Sequence, residues 1–255
     1  MYKLNTISNR LSQMAALCLL VAASGCATYT TPGAGVSVGN LSKADTDIAE
    51  LFNRQPAALF PARLAVARIQ ASGYYSRSNG NCYGTGQYCV LTTRDIETEK
   101  DFERLSNTPM VSGVAMMSRV ILPAKLESTK ELRLAAASLK TDLLLVYSVD
   151  TGFHIENTDV GPLAMLSLGF LPTKKARVTS TASAAIYDVR TGFLYGVAEA
   201  TASEEQRGTF WSSSEAVDNA RVKAEAEAFK KLVGELEALS VNVVRQHAQT
   251  TSPRS

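Results

Sequence analysis

A ten-residue run of alternating side chains, VTSTASAAIY from Val178 to Tyr187, constrains the fold of this chain more than any other feature. Period two over this length predicts a β-strand with one buried face. The turn that follows contains Gly192, which is free to take the positive φ of a bulged hairpin turn. Residues 193 to 201 then return as a second strand. One face of this hairpin carries mainly small residues, so a helix can approach it closely.

A long amphipathic segment follows the hairpin and predicts that helix. Ser212 and Glu215 form the pair that is typical of a capping box. Apolar residues at helical spacing lie on one side and Lys and Glu on the other, so we expect a helix of about 25 residues or more with its Ala-rich face toward the sheet. The apolar stripe consists of Val217, Ala220, Ala224, Ala228, Leu232 and Leu239.

Upstream of the hairpin, helix-like and strand-like segments alternate. The predicted elements are a helix from about residue 45 to Leu59, strands over 63–69 and 90–93, a short helix over 97–105, a segment of ambiguous class over 111–122, a helix over 129–140 and a strand buried on both faces over 142–149. This order predicts an α/β fold in which a mixed sheet with a long antiparallel hairpin is packed by helices, including the long C-terminal helix. We expect a single domain over residues 45–245 and a disordered tail over 246–255.

The first 25 residues have the order of an export signal. Lys3 and Arg10 supply the positive charge, no acidic residue precedes Cys26, and an apolar run from Met14 to Ala23 leads to small residues. The run covers about ten residues, whereas a membrane-spanning helix needs roughly twenty. The sequence therefore predicts a signal peptide over residues 1–25 rather than a transmembrane anchor.

The end of this signal, Ala23-Ser24-Gly25-Cys26, resembles the bacterial lipobox. The resemblance implies a diacylglyceryl thioether on Cys26, cleavage before it, and acylation of the new amine by a chain such as palmitate. Two or more acyl chains anchor a protein stably. An ordinary signal peptide with a chance cysteine is the alternative. By the rule for bacterial lipoproteins, an Asp after the lipidated cysteine retains the protein in the inner membrane, and no Asp follows Cys26. The resemblance therefore implies a protein of the outer membrane that faces the periplasm, with surface display as a further option. Residues 26–44 are expected to be a flexible tether.

The charge and the cysteine content limit which ligands and cross-links the chain can have. Without the signal the chain has 24 basic and 24 acidic residues, so a basic face for nucleic acid is not indicated. Cys82 and Cys89, in NCYGTGQYC, predict a disulfide that closes a Gly-rich loop in an oxidising compartment. Two free thiols are the main alternative. A metal site is disfavoured because His154 and His247, the remaining candidate ligands, lie far away in sequence.

Motifs of catalysis do not stand out in the sequence, and we predict no catalytic residue, no cofactor and no metal. His154 could act as a base with Asp150 or Glu156 nearby, but an exposed histidine after a strand explains it more simply. The residues Asp142, Asp150 and Asp188 fall at strand or turn ends, where capping and turn roles account for them.

A charge-free apolar segment, VGPLAMLSLGFL over 160–171, is unusual for a connection between strands. It could pack on the core of its own domain, contact a partner or a second copy, or enter the bilayer. The candidate interaction residues are Leu163, Met165, Leu166, Leu168, Phe170 and Leu171.

A family resemblance covers most of residues 45–240. The stretches LLLVYSVDTGF and LPTKKARVTSTASAAIYDVRTGFLYGVAEAT, followed by the Ala/Glu-rich helix, resemble the so-called rhombotarget lipoproteins. More distantly, the order of elements is similar to the periplasmic domain of CsgG-like and LpoB-like lipoproteins. CsgG-like proteins form secretion pores, and LpoB-like proteins activate cell-wall synthases by contact. A pore is disfavoured, because a barrel needs several pairs of strands of about ten alternating residues and the sequence shows one such hairpin.

These observations together predict a non-enzymatic outer-membrane lipoprotein that acts through protein contacts in the cell envelope, as an accessory, assembly or secretion-related factor. Its expected partners are the membrane, through the lipid, and an envelope protein or a second copy of the chain. A binding module for a small apolar or envelope ligand is the first alternative, and an envelope hydrolase the second. An exposed apolar patch would favour the contact role, and a closed apolar pocket would favour the ligand-binding role.

Overall fold

The alternating run lies within a strand of 15 residues, one of three long strands that are neighbours in the sheet. The computed structural model describes residues 35, 39, 48–76, 80–157, 174–208 and 213–248. The strands are β1 (Ala62–Ala71), β2 (Tyr75–Ser76), β3 (Gly80–Asn81), β4 (Thr85–Gly86), β5 (Tyr88–Leu91), β6 (Val111–Met116), β7 (Lys125–Leu126), β8 (Leu143–Asn157), β9 (Lys174–Asp188) and β10 (Leu194–Gly208). The helices are α1 (Ile48–Asn53), α2 (Glu99–Ser106), α3 (Thr129–Ser138) and α4 (Ser213–Ala248), with a 3₁₀ turn at Arg119–Ile121.

The main sheet is mixed and has the strand order β10-β9-β8-β1-β5, with β6 also paired to β1. The long strands β8, β9 and β10 are antiparallel to one another, and β1 is parallel to β8. The outer edge of β1 is shared: residues 62–66 pair with β6 in parallel, and residues 68–71 pair with β5 in antiparallel orientation. The predicted fold class, an α/β fold with a mixed sheet, a long hairpin and a long C-terminal helix, is confirmed.

Helices cover both faces of the sheet at β1 and β8. Leu143, Leu145 and Tyr147 pack in the layer that contains α2 and α4, whereas Leu144 and Val146 pack in the layer that contains α3. Because successive side chains of a strand point to opposite faces, a continuous apolar run is the expected sequence of a strand covered on both sides. The prediction of a doubly buried strand here is therefore confirmed.

The long helix α4 packs on the small-residue face of the hairpin, as the sequence predicts. Ala182, Ala184 and Ala202 lie in the same core cluster as Phe229 and Leu232 of α4. The approach is close: a Cβ atom built on Gly196 would lie 2.7 Å from a methyl carbon of Leu239. Small side chains on β9 and β10 thus let the helix bury its apolar stripe directly against the sheet.

The first helix is shorter than the sequence pattern predicts. We expected a helix through Leu59, and this is wrong, because α1 ends at Asn53 and residues 54–60 are irregular. Pro56 gives the physical reason, since proline has no backbone N–H to donate and disfavours helical geometry at the residue before it. At the other end of the chain, α4 extends to Ala248 and so includes the first residues of the segment that we expected to be a disordered tail.

The two remaining cysteines come together on the edge of the sheet. Cys82 and Cys89 lie at disulfide-bonding distance, with Cα atoms 5.7 Å apart, and Cys89 is buried beside Tyr74 and Leu91. The separation is within the range that a disulfide requires. Across the residues that the structure describes, no helix is both long and apolar enough to cross a membrane.

Candidate functional site

Several residues singled out from the sequence lie outside the described ranges. These are the lipidation candidate Cys26 and the interaction candidates Leu163, Met165, Leu166, Leu168, Phe170 and Leu171. Of the other candidates, His154 is an exposed residue of β8, and the Cys82–Cys89 pair is formed at bonding distance. The surface with the clearest capacity for contact lies elsewhere, on α1 and the irregular segment that follows it.

Four large apolar side chains form this surface, which we name the N-terminal patch. Ile48, Leu51 and Phe52 are 70%, 43% and 82% exposed, and Leu59 is 82% exposed. The first three occur at positions i, i+3 and i+4 of α1, so they share one face of the helix. In a globular domain such a stripe normally faces the core, and here it faces solvent. Clustered exposed apolar residues of this kind are typical of contact surfaces.

A cluster of aromatic side chains lies next to the patch. The ring of Tyr195 packs edge-on against those of Phe60 and Phe193, with centroid distances of 5.4 and 5.2 Å. The ring centroid of His247, in the last turn of α4, lies 5.4 Å from that of Tyr195. Phe193 and His247 line a cleft of about 580 Å³ whose other wall includes Phe52. The patch therefore borders a cleft with an aromatic floor that joins the N-terminal segment, the hairpin turn and the end of α4.

One buried carboxylate fixes the segment that carries Leu59. Asp188 Oδ2 accepts hydrogen bonds from the amides of Ala57 and Ala58, at 2.7 and 2.9 Å, and from the Tyr195 hydroxyl at 3.0 Å. Its Oδ1 accepts from the turn amides of residues 190 and 191, at 2.9 and 3.0 Å. The turn role predicted for Asp188 is confirmed. In addition, the same side chain ties the hairpin turn to residues 57 and 58, so the backbone next to Leu59 is fixed.

The electrostatics of this carboxylate agree with its geometry. Burial by itself raises the pKa of Asp188, but the backbone hydrogen bonds from residues 191, 57 and 58 outweigh it and lower the pKa below its ordinary value of 3.8. Burial and the neighbouring Asp188 charge raise the pKa of Tyr195, so its hydroxyl keeps the proton that it donates. Asp188 is therefore a charged acceptor near neutral pH, held by several donors at once.

A second cluster of polar side chains is buried where α4 crosses the sheet. Arg68 of β1 is 2% exposed and lies among three carboxylates: Asp95 at 2.6 Å, Glu97 at 3.4 Å and Glu225 at 3.2 Å. Glu225 also accepts from Arg221 at 2.9 Å and from the Thr151 hydroxyl at 3.0 Å. We name these residues the ion network.

The carboxylates around Arg68 hold its guanidinium in the charged form. Burial by itself lowers the pKa of Arg68, but Glu97, Glu225 and Asp95 raise it by more, so the net shift is upward. Burial and the adjacent Glu97 carboxylate also raise the pKa of Tyr147 well above its ordinary value, and its hydroxyl donates to Glu97. The network thus connects β1, β8, the loop before α2, and α4 through charge-assisted hydrogen bonds.

A second cleft, of about 380 Å³, opens beside this network at the point where the outer edge of β1 passes from β6 to β5. Arg68, Glu97 and Tyr147 line it together with apolar side chains such as Met116, and exposed Arg119 is at its rim. No group of three or more potential metal ligands is found in the described part of the chain. The carboxylates here are engaged by arginines, so the arrangement is suited to holding elements together.

The sequence analysis predicted neither the N-terminal patch nor the ion network, for different reasons. The i, i+3, i+4 spacing of Ile48, Leu51 and Phe52 was a signal for an apolar helix face, but nothing in it says that the face is exposed. The ion network gave little signal, because Arg68 and Glu225 are 157 residues apart in sequence. Its only local hint is an arginine inside an otherwise apolar strand, LAVARI.

Comparisons with known proteins add little to this description. No family model and no curated protein matches the chain. Among solved structures, it is similar to a Xanthomonas campestris protein of the DUF330 family, with 13% identity and a TM-score of 0.35, over 77% of this chain and 95% of that one. A hypothetical protein from Chlamydia trachomatis has 10% identity and a TM-score of 0.31, over 71% of this chain and 98% of that one. At these TM-scores neither likeness carries an argument about function.

Proposed function

We propose that this chain is a lipid-anchored protein of the bacterial envelope that acts by binding a protein partner rather than by catalysis. The anchor rests on the lipobox-like sequence that ends at Cys26, and the outer membrane is the favoured location because no Asp follows that cysteine. In this compartment the Cys82–Cys89 pair would be oxidised. The partner is an envelope protein or a second copy of the chain.

The N-terminal patch is the observation that supports the contact role. Phe52 and Leu59 are its most exposed side chains, and Leu59 directly follows Ala57 and Ala58, whose amides donate to Asp188 and so hold this part of the patch in place. A rigid, exposed apolar surface loses little conformational entropy on binding, which favours association. The cleft beside it is open and has polar residues such as Arg54 and Gln55 in its walls, so it is less suited to enclosing an apolar ligand. The apolar segment 160–171 stays a second candidate surface.

The anchor is tested by one substitution. We expect Cys26→Ala to abolish fatty-acid labelling of the protein and to leave it unprocessed or soluble, because the thiol that carries the diacylglyceryl group is gone. Metabolic labelling with a palmitate analogue, followed by fractionation of the envelope, measures both effects. Labelling that is undiminished in this variant would contradict the lipoprotein assignment.

The contact role is tested by charge substitutions on the patch. With a photo-crosslinking residue at exposed Gln55, we expect a discrete adduct in intact envelopes that Phe52→Asp or Leu59→Asp removes. The melting temperature should stay nearly unchanged, because both side chains are already in water. Val120→Asp is the matched control: Val120 is 87% exposed on the 3₁₀ turn, and its substitution should leave the adduct intact. An adduct that persists in all three variants would refute the patch as the interface.

A further inference from the structure

Strand β10 forms one end of the main sheet. In the strand order of the described residues, it pairs with β9 on one side and with no strand on the other. It has 15 residues, whereas strands of globular proteins usually have about five or six. An edge strand presents a row of N–H and C=O groups on its outer side, and the row grows with the length of the strand. The outer side of β10 is therefore a template on which a further strand can pair.

The hydrogen bonds of the hairpin identify the residues that point outward. The amide of Asp188 donates to the carbonyl of Phe193, directly before β10. Because the direction of these groups alternates along a strand, the even-numbered residues of β9 bond to β10. Each of them lies opposite an even-numbered residue of β10, as Ala182 lies opposite Ala200. The odd-numbered residues from 197 to 205 consequently direct their N–H and C=O groups away from β9, and we name this row the β10 edge.

The side-chain contacts agree with this assignment. The hydroxyl oxygens of Thr181 and Thr201, and likewise those of Thr179 and Ser203, lie 2.9 Å apart across the two strands. Side chains come closest in the antiparallel pairs that exchange no backbone hydrogen bonds. The carbonyl of Thr201 is thus not used by β9, and it accepts a hydrogen bond from the ammonium group of Lys231 on α4 at 3.2 Å.

The charge of the strand indicates which kind of partner fits it. As far as Glu205, the charged side chains of β10 are all acidic, namely Glu199, Glu204 and Glu205. Glu205 pairs with Arg177 of β9, whereas Glu199 is exposed and, among the described residues, has the hydroxyl of Ser183 but no basic side chain as its partner. Opposite charges on neighbouring strands stabilise their pairing, and like charges destabilise it. A strand with lysine or arginine side chains therefore complements this edge.

We propose that the β10 edge binds an extended, basic segment of a partner protein by β-strand addition. The backbone of the segment bonds to the odd-numbered residues from 197 to 205, and its cationic side chains lie beside Glu199. Lys231 guards the edge, because its ammonium group occupies the Thr201 carbonyl until an N–H of the incoming strand replaces it. Lysine is a common protection of edge strands against unspecific pairing. The proposal rests on the contact role stated above, but it uses a surface that shares no residue with the N-terminal patch.

Binding of synthetic peptides to the purified full chain tests the proposal. The probe has about nine residues in which lysine alternates with threonine or valine, and the control peptide has glutamate in place of every lysine. We expect saturable binding of the basic peptide in fluorescence anisotropy, and at least about tenfold weaker binding of the acidic peptide.

Hydrogen exchange measured by NMR for each residue shows where the peptide binds. The outward amides of Thr201 and Ser203 should exchange fast in the free protein and at least about tenfold more slowly with the basic peptide. The inward amides of Ala200 and Ala202 bond to β9, so they should exchange slowly in both states.

Single substitutions separate strand pairing from general charge attraction. Lys231→Met should strengthen binding of the basic peptide about threefold or more, because one competing hydrogen bond is lost. Lys223→Met is the matched control, since it removes the same charge from an exposed position of the same helix and should leave the affinity nearly unchanged. Ser203→Pro should weaken binding at least about tenfold, because proline has no N–H for the incoming strand and β9 does not use this one. Should that variant not fold, Glu199→Lys gives a second reading, a reversed preference between the two peptides.

Several results would overturn the proposal: no saturable binding of either peptide, equal affinity for both, or equal effects of Lys231→Met and Lys223→Met. Outward amides that exchange slowly without peptide would show that the edge is already covered. If this protection appears only at high protein concentration, the occupant is a second copy and the basic partner is wrong.

The N-terminal patch and the β10 edge can fail separately. Phe52→Asp and Leu59→Asp should leave peptide binding unchanged, because neither side chain belongs to the β10 edge. If these variants lose the crosslinked adduct while no peptide binds, the contact role stands and the β10 edge fails. The opposite pair of results removes the patch as the interface and leaves the β10 edge.

Discussion

Replacing Glu225 by glutamine should lower the free energy of unfolding by about 3–5 kcal/mol, the largest single-residue effect that we expect in this protein. The Glu225 carboxylate accepts from Arg68 at 3.2 Å and from Arg221 at 2.9 Å, and all three side chains are buried. Glutamine keeps the shape but removes the charge, so the negative charge that the two buried arginines share is lost. The loss is large because water cannot reach the network to replace the missing interaction. Urea denaturation followed by circular dichroism measures it.

Glu227→Gln provides the matched control, two residues further along the same helix. Glu227 is partly exposed and pairs with Lys230 at 3.5 Å, so its substitution should change stability by less than about 0.5 kcal/mol. A double substitution of Arg221 and Glu225 tests the mechanism, since removing both charges should cost less than the two single effects added. Similar, small effects at Glu225 and Glu227 would show that the network does not stabilise the fold.

We expect Asp188→Asn to lower the free energy of unfolding by about 2–4 kcal/mol, because at least two partly buried donors lose their acceptor at about 1–2 kcal/mol each, the lower part of the range for unsatisfied groups. Asparagine has one acceptor oxygen, whereas the Asp188 carboxylate serves four backbone amides and the hydroxyl of Tyr195. Asp142→Asn is the control, since Asp142 makes a surface pair with Arg190 at 3.0 Å. Equal, small losses of stability in the two variants would show that the bonds of Asp188 to the hairpin turn and to residues 57 and 58 do not stabilise the fold.

Asp188 should also contribute to acid sensitivity, with a defined sign. Its pKa is lower in the folded protein than the ordinary 3.8, so its contribution to stability is complete above about pH 4. As the pH falls through the folded-state pKa, the carboxylate takes up a proton and that contribution disappears. Stability should therefore fall below about pH 4 more steeply in the unsubstituted protein than in Asp188→Asn. Parallel curves for the two proteins would exclude this linkage.

The C-terminal half of the fold was predictable because its determinants are local. Alternation over Val178–Tyr187 specifies a strand, Gly192 takes the positive φ of 72° that its turn requires, and the stripe from Val217 specifies which face of α4 is buried. Each of these features is recognisable in the sequence of a single strand, turn or helix, or of two neighbouring ones. They also fix the pairing of hairpin and helix, because a face of small residues can be covered closely only by an apolar helix.

The candidate site was much harder to predict, because its parts meet only in three dimensions. Asp188 is recognisable as a turn residue, but its bonds to Ala57 and Ala58 cross about 130 residues, and no local pattern indicates them. The exposure of Phe52 is equally invisible in sequence, since a stripe on a short helix has the same spacing whether it faces core or solvent. Burial is decided by the neighbouring elements, and these are known only when the topology is known.

The position of β1 in the sheet has a consequence for the order in which the chain can fold. It is the first strand of the main sheet, yet its partner β8 follows some 79 residues later, as in the pair Arg68–Tyr147. Strands β9, β10 and helix α4 can associate through contacts that are near in sequence, which form quickly. A chain that emerges from its N-terminus can pair β1 with β5 and β6 early, but the other edge of β1 stays unpaired until residues beyond 143 have appeared. The slow step of folding should be the docking of β1, with β5 and β6, onto β8 in a platform built from the C-terminal half.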